Sequence, residues 1–264
     1  YAEGRGGSII DLCMRMERCS LSEAICLLGR NAPDTTCSPR MVCVHGTSNQ
    51  ESIGQATSAN GTRRLTGISD TLPPHLQEYL KKERCIDLEK ATPFLKCISY
   101  EVRGRRYEAI GFANSSGGYE LRDNHLFKGT IAPKDITPIF EDKAQPVCLF
   151  EGFMDFLSFL SMKEEVTNQC LVMNSVSNVT RSVHYLNERN ITSVRTFLDN
   201  DYAGQRAVQE FVNAGFKVED MTVYYRDFKD LNDYHVRRVR EQREELEKTP
   251  NISNKIKQVK LKIR

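Results

Sequence analysis

Four acidic residues stand where a chain could do chemistry on phosphate. Glu151 follows "VCLF" and precedes Gly152, Asp199 and Asp201 are one residue apart in "FLDNDYAGQRA", and Asp230 lies in "RDFKDLNDYH". Like charges this close repel each other unless a cation sits between them. Carboxylate oxygens are hard ligands, suited to Mg²⁺ or Mn²⁺, and a pair of such ions can stabilise both attacking and leaving oxygens in phosphoryl transfer. An Asp-x-Asp followed by glycine also has a plainer reading, because Asp is favoured in strand-to-helix turns and at helix N-caps. Asp201 could be such a cap and Asp199 a solvated neighbour. No Cys/His grouping points to zinc, and His184 and His235 are single residues on helical patterns.

What favours a site is the order of the elements that carry these acids. From Pro146, short apolar stretches alternate with helical patterns. "VCLF" is followed by "FMDFLSFLSM", "CLVM" by "VTRSVHYLNER", and "SVRTFL" by "QRAVQEFVNAG", with "VEDMTVYY" as a fourth strand. Strands joined by crossover helices form a parallel sheet, and such sheets hold ligands at the carboxyl ends of their strands. Glu151 and the Asp199–Asp201 pair fall at two of those ends, and Asp227, Asp230 and Asp233 follow the fourth strand. Asp155, four residues after Glu151, is one helical turn further on and can face the same cleft. The helix after the aspartates is predicted to begin at Gln205. A closing helix is predicted over residues 231–248, capped by Asp230.

The rest of the chain is less periodic. Residues 8–30 have apolar residues at helical spacing, with Ser20 and Glu23 forming a capping box. Residues 31–70, rich in Ser, Thr, Gly, Asn and Pro, read as a flexible linker. From Lys96 short strands are expected in "CISYEV", "RYEAIGF" and "GGYELR", with a turn at Gly104. The 264 residues are 39% hydrophobic and 27% charged, with a net charge of +2, which suits a globular protein and announces no nucleic-acid partner by charge alone. Between Arg237 and Arg264, however, ten basic residues face four acidic ones, a local charge of +6. That segment reads as a solvated helix and frayed end or as an arm for backbone phosphate. Nine scattered cysteines without a CxxC pair argue for reduced thiols and a cytoplasmic setting. No apolar run is long enough to span a membrane, the polar start at Tyr1–Gly7 is unlike a secretory signal, and a chain opening on Tyr1 is expected of a fragment or a processed protein.

"LFEGFMDFLS", "FLDNDYAGQRA" and "FKDLNDY", in that order and spacing, resemble the Toprim domain of bacterial primases, topoisomerases and certain nucleases. The resemblance implies that Glu151 is the general acid/base, that Asp199 and Asp201 hold metal, that Asp230 is a second-metal or supporting acid, and that Asp155 supports the site. "GGSIIDLCMRMERCSLSEAICLL" resembles the helices after a primase zinc ribbon. "AIGFANSSGGYELRDNHLFKG" resembles the basic segment before the Toprim core in compact primase-like proteins of bacterial mobile elements, which implies that Arg122 and Lys128 handle nucleotide or template phosphate. Ordinary surface charge on a hairpin is the other reading of those two residues.

The expected architecture is therefore α/β. Helices at 1–30 and a linker at 31–70 precede a small basic α+β subdomain at 71–143. A Toprim fold at 144–235, with a parallel sheet of about four strands, is followed by a helix and basic tail at 236–264. The expected function is a Mg²⁺- or Mn²⁺-dependent nucleotidyltransferase that makes RNA primers on single-stranded DNA from ribonucleoside triphosphates, with a helicase or relaxase as possible partner and no membrane. Zinc enters only if a ribbon lies upstream of Tyr1. The alternatives are a non-catalytic nucleic-acid-binding module and a hydrolase of the nuclease kind, the latter disfavoured because no phosphate-binding G-x-x-x-x-G-K-[ST] loop is present.

Overall fold

The computed structural model describes residues 63–123 and 127–248. The expected helices at 8–30, most of the expected linker and the tail beyond 248 lie outside the described residues. None of the described helices is long and apolar enough to cross a membrane.

The described residues build two sheets. The first is an antiparallel meander of β1 (Arg64–Ser69), β2 (Leu95–Val102), β3 (Arg105–Ala113), β4 (Tyr119–Arg122) and β5 (Lys128–Ile131), in that spatial order. Its central hairpin closes on Arg103 and Gly104, both at positive φ (50° and 77°). A two-residue turn of that kind matches the twist of the flanking strands. Strand β1 corrects the expectation of a linker as far as residue 70. Its residues are exposed along nearly the whole strand, so it lacks the apolar alternation that announces a strand, and ladder hydrogen bonds to β2 hold it in place. Helix α1 (Pro74–Glu78) runs into a π-helical turn at Tyr79–Glu83, and α2 is a single turn at Leu88–Ala91.

The second sheet contains β6 (Thr137–Ile139), β7 (Ala144–Phe150), β8 (Asn168–Val172), β9 (Ser193–Phe197) and β10 (Lys217–Asp220), in the order β10-β9-β7-β8-β6. Strands β7 to β10 are parallel, and β6 pairs with β8 antiparallel. The parallel core agrees with the expected fold. The edge strand β6 was not foreseen: it is three residues long with a proline in the middle, and it joins this sheet although 71–143 was expected to form a separate subdomain. The fourth parallel strand is shorter than "VEDMTVYY", because the Asp220 side chain accepts from Thr222 N and turns the chain into a 3₁₀ segment at Met221–Tyr224.

Helices α3 (Phe153–Met162), α4 (Val179–Glu188), α5 (Tyr202–Asn213) and α6 (Leu231–Lys248) complete this part. Strand β7 is sealed on both faces, Val147 to Phe150 being at most 1% exposed, as expected for the centre of a parallel sheet. Helix α3 is buried from Phe153 to Leu160. Phe112 of β3 stacks on Phe153 at 5.1 Å, and Phe150 stacks on Phe197 at 5.1 Å. One apolar cluster therefore joins Leu76, Leu80 and Phe112 of the first part to Phe150, Phe153 and Phe156 of the second. A second cluster, containing Leu149, Leu171, Leu186 and Phe211, packs α4 and α5 on the sheet.

Helix α5 begins at Tyr202, three residues before the predicted start, because Asp201 takes the N-cap position and its Oδ1 accepts from Gly204 N at 2.9 Å. A Cβ on Gly204 would lie 2.1 Å from the Asp199 carbonyl oxygen, so only glycine lets the helix start pass over the acidic turn. Gly204→Ala is expected to cost about 1–3 kcal/mol, as forced overpacking does, and thermal unfolding measures it. A melting temperature equal to the parent's would refute the close approach.

Candidate active site

The order of the second sheet places a crevice at the end of β7. The chain leaves β7 to build β8 on one side and returns to build β9 on the other, and ligands of open α/β sheets sit outside the carboxyl ends of strands at such a reversal. Glu151 is the first residue past β7, and Asp199 comes two residues past β9.

The turn that carries Asp199 is tied to the one that carries Asp230. Asn200 N donates to the Lys229 carbonyl at 2.7 Å, and Asn200 Nδ2 donates to the carbonyls of Tyr225 and Phe228 at 2.9 and 2.8 Å. The Tyr225 hydroxyl donates to the Leu198 carbonyl at 2.9 Å. Lys229 is thereby held with Nζ 3.1 Å from Asp199 Oδ2 and 3.7 Å from Asp230 Oδ2. Asp230 also caps α6, accepting from Asp233 N at 2.8 Å, as the sequence predicts.

Asp155 lies deeper on α3 and accepts from Asn232 N at 3.2 Å. Asn232 is clamped in turn, donating from Nδ2 to Ser158 Oγ and the Arg84 carbonyl and accepting from Arg84 Nη1 at 3.0 Å. Arg84 also donates to the Tyr79 hydroxyl at 2.7 Å. A buried carboxylate on an otherwise apolar helix is thus fixed by residues from both ends of the described chain.

These acids line one cavity of about 300 Å³. Its wall from the second sheet holds Glu151, Asp155, Asp199 and Asp230; its wall from the first sheet holds Arg122 and Lys128, with Glu120 and Thr130 beside them. The Arg122 guanidinium lies over the Phe153 ring at 5.6 Å, at the start of the helix that follows Glu151. Six of the seven residues singled out from the sequence therefore converge. Asp201 is the exception: it is exposed, spends one oxygen on the cap and does not line the cavity, although its charge still acts on Glu151. Asp227 and Asp233 are also exposed and outside the lining. His184 is on the surface beside Glu188, and the buried His235 ring bonds to the Cys85 carbonyl.

The carboxylates raise one another's proton affinity. Burial, reinforced by the charge of Asp199, pushes Glu151 up to about 7. Burial and then the charges of Asp230 and Asp199 hold Asp155 well above the ordinary carboxylate range. Burial also raises Asp199, against the pull of Lys229. Asn200 and Lys229 escaped the sequence reading although both lie inside quoted motifs; a lysine among the acids of one turn was the available signal. Arg84 and Asn232, whose contact spans 148 residues, left no local pattern.

The donor set fits Mg²⁺ or Mn²⁺. The oxygens are hard, they are crowded past what burial tolerates, and the Lys229 ammonium shows that the place between Asp199 and Asp230 accepts positive charge. Among the described residues no three Asp, Glu, His or Cys side chains form a ready-made cage. Mg²⁺ usually takes one or two carboxylates and completes its shell with water and substrate phosphate.

A folded-state proton affinity above the unfolded one stabilises the fold below the unfolded pKa, and the gain is lost as pH rises through the folded value. For Glu151 that window runs from 4.5 to about 7. In metal-free buffer Glu151→Gln is expected to match the parent's melting temperature near the lower limit and to exceed it above the upper one. The gap should be about 1 kcal/mol after solvent screening, or roughly 2–4 °C. A gap independent of pH would show that Glu151 is not the strained acid.

Residues 148–235 match the Toprim-like family model, and residues 66–132 match that of a domain of unknown function (DUF8464). No curated protein matches the chain. Among solved structures, the primase fragment of the bacteriophage T7 primase-helicase protein is 17% identical; 59% of this chain and 68% of that one are covered, at a TM-score of 0.46. A chain from the structure of bacteriophage T7 lagging-strand DNA polymerase interacting with primase domains bound to an RNA/DNA hybrid and dTTP is 18% identical. It covers 61% of this chain and 87% of its own, at a TM-score of 0.44. The family match spans the parallel strands from β7 to β10 and both acid-bearing turns, and this part of the chain is a Toprim-like domain.

Proposed function

We propose that the protein is a primase-like nucleotidyltransferase that joins ribonucleotides on single-stranded DNA. The observation that carries the reading is that four carboxylates and the Arg122–Lys128 pair line one cavity, within reach of one another's charge. Acids alone would suit a metal, and bases alone a phosphate. Together in one cavity they suit a triphosphate held with divalent cations.

In this reading Arg122 and Lys128 hold the phosphates of the incoming nucleotide, and Asp199 and Asp230, which Lys229 neutralises in this structure, would hold Mg²⁺. Bound Mg²⁺ would supply charge neutralisation of the triphosphate. The 3′-hydroxyl oxygen of one nucleotide attacks the α-phosphorus of the next. A P–O bond forms, the bond to pyrophosphate breaks, and the hydroxyl proton passes to Glu151. Glu151 lies next to the ligand acids, accepting from Asp199 N, and a carboxylate there can take the proton. Asp155, locked by Asn232, sits behind the ligand acids as a buried carboxyl whose own ionisation their charges oppose.

A second reading, a nucleic-acid-binding module without chemistry, has one observation in its favour: Lys229 already neutralises Asp199 and Asp230. Two measurements separate the readings. Millimolar Mg²⁺ should raise the melting temperature, since an ion bound by the folded state alone stabilises it by mass action, and Asp199→Asn should remove the response. The full chain with single-stranded DNA and Mg²⁺ should incorporate labelled ribonucleotides, and Glu151→Gln should slow turnover about 100-fold or more while the Mg²⁺ response persists. Absence of both the Mg²⁺ response and incorporation would favour the binding module, and equal turnover in parent and variant would remove Glu151 from the chemistry.

A further inference from the structure

Two buried side-chain oxygens lack a hydrogen-bond partner among the described residues, Glu120 Oε1 and Asn174 Oδ1, and both residues line the cavity just described. A buried acceptor left unpaired costs about 1–3 kcal/mol, more when charged, so native proteins seldom keep one without a use. Glu120 is only 8% exposed, and its other oxygen accepts from Thr130 Oγ1 at 3.0 Å. The orientation of Asn174 is fixed, because its amide nitrogen donates to the Asp135 carbonyl at 2.8 Å and to Thr137 Oγ1 at 2.9 Å. Its backbone is at φ 63°, in the left-handed region that Asn adopts more readily than other non-glycine residues.

Register on the first sheet sets the chemistry of this wall. Glu120 and Arg122 are two residues apart on β4 and so share a face; their cross-strand partners on β5 are Thr130 and Lys128. The wall thus carries a cationic row, Arg122 with Lys128, and about 7 Å along the strand an acceptor row, Glu120 with Thr130. Phosphate suits the first row; in the second the Glu120 carboxylate disfavours it, although the Lys134 charge acts on Glu120 from the same lining. The second row calls for an uncharged group that donates hydrogen bonds.

We propose that Glu120, together with Asn174, reads the sugar of the nucleotide by accepting hydrogen bonds from its ribose hydroxyls while the phosphates rest on Arg122 and Lys128. The proposal rests on the nucleotidyltransferase reading and adds to it the residue that tells ribonucleotides from deoxyribonucleotides. The sugar is the part of a nucleotide that adjoins its phosphates, which matches two adjacent rows on one strand pair. An acidic side chain bonded to ribose hydroxyls is an established solution in dinucleotide sites on other folds. A site built to bond a hydroxyl rejects the analogue without it, because its own buried groups are then left unpaired.

Calorimetric titration of the full chain with ATP, 2′-deoxy-ATP and 3′-deoxy-ATP in Mg²⁺ buffer tests this. The parent should bind ATP about tenfold more tightly than at least one of the deoxy forms. Glu120→Ala should shrink that preference to about threefold or less, chiefly by weakening ATP. Lys128→Ala, in the other row, should weaken all three nucleotides alike. Glu120→Gln keeps the shape of the side chain and carries the comparison if the alanine variant does not fold; losing the charge, it too should narrow the preference. Equal binding of the three nucleotides by the parent, or an undiminished preference in the Glu120 variants, would overturn the sugar assignment and leave the nucleotide site standing. Failure of the parent to bind any of them at millimolar concentration would overturn both.

Discussion

Repulsion among the half-buried carboxylates is the constraint around which the other features arrange themselves. Glu151, Asp155 and Asp199 are each harder to ionise than an ordinary carboxyl because water is excluded and their neighbours carry the same sign. Such an arrangement persists only where the surrounding structure holds it. Here the holding is done by two uncharged devices, the Asn200 staple between two turns and the Asn232 clamp on Asp155, and by one charge, the ammonium of Lys229. A cation between Asp199 and Asp230 would relieve that repulsion, as the Lys229 ammonium does in this structure.

The apolar architecture serves the same end. Helix α3 carries Asp155 and is buried between the sheets, so the acid cannot swing out to water. The Phe112–Phe153 stack fixes the first turn of that helix against β3, and Arg122 on the next strand lies over the same ring. One aromatic side chain thus sets the spacing between the basic and acidic walls. The proposed phosphoryl transfer would depend on that spacing, because positioning and electrostatics dominate such chemistry.

The sequence made the second sheet legible because the apolar runs "VCLF", "CLVM" and "SVRTFL" alternate with helical patterns and two of them end at acids. Glu151, Asp155, Asp199 and Asp230 could be placed on one edge by that logic, and Arg122 and Lys128 by resemblance. The local pattern could not decide between ligand and cap for Asp201: both readings use the same residue type at the same spacing, and the cap bond from Gly204 N, visible only in three dimensions, occupies one of its two oxygens. Strands β1 and β6 escaped because one is exposed and the other is three residues long. Glu120 and Asn174 escaped for a different reason, since an unpaired buried oxygen is a property of the packed wall and of no stretch of chain.

The shared core also bears on how such a protein can be inherited. The border between its two parts is apolar: Phe153 and Phe156 of the acid-bearing part are covered by Phe112, Leu76 and Leu80 of the part before it. A recombination event that cut between the two sheets would strip a contiguous aromatic surface, of the kind that makes soluble chains associate indiscriminately. It would also leave Asn232 without Arg84. Exchange between relatives would therefore have to move both sheets together, and the basic wall would travel with the acids that share its cavity.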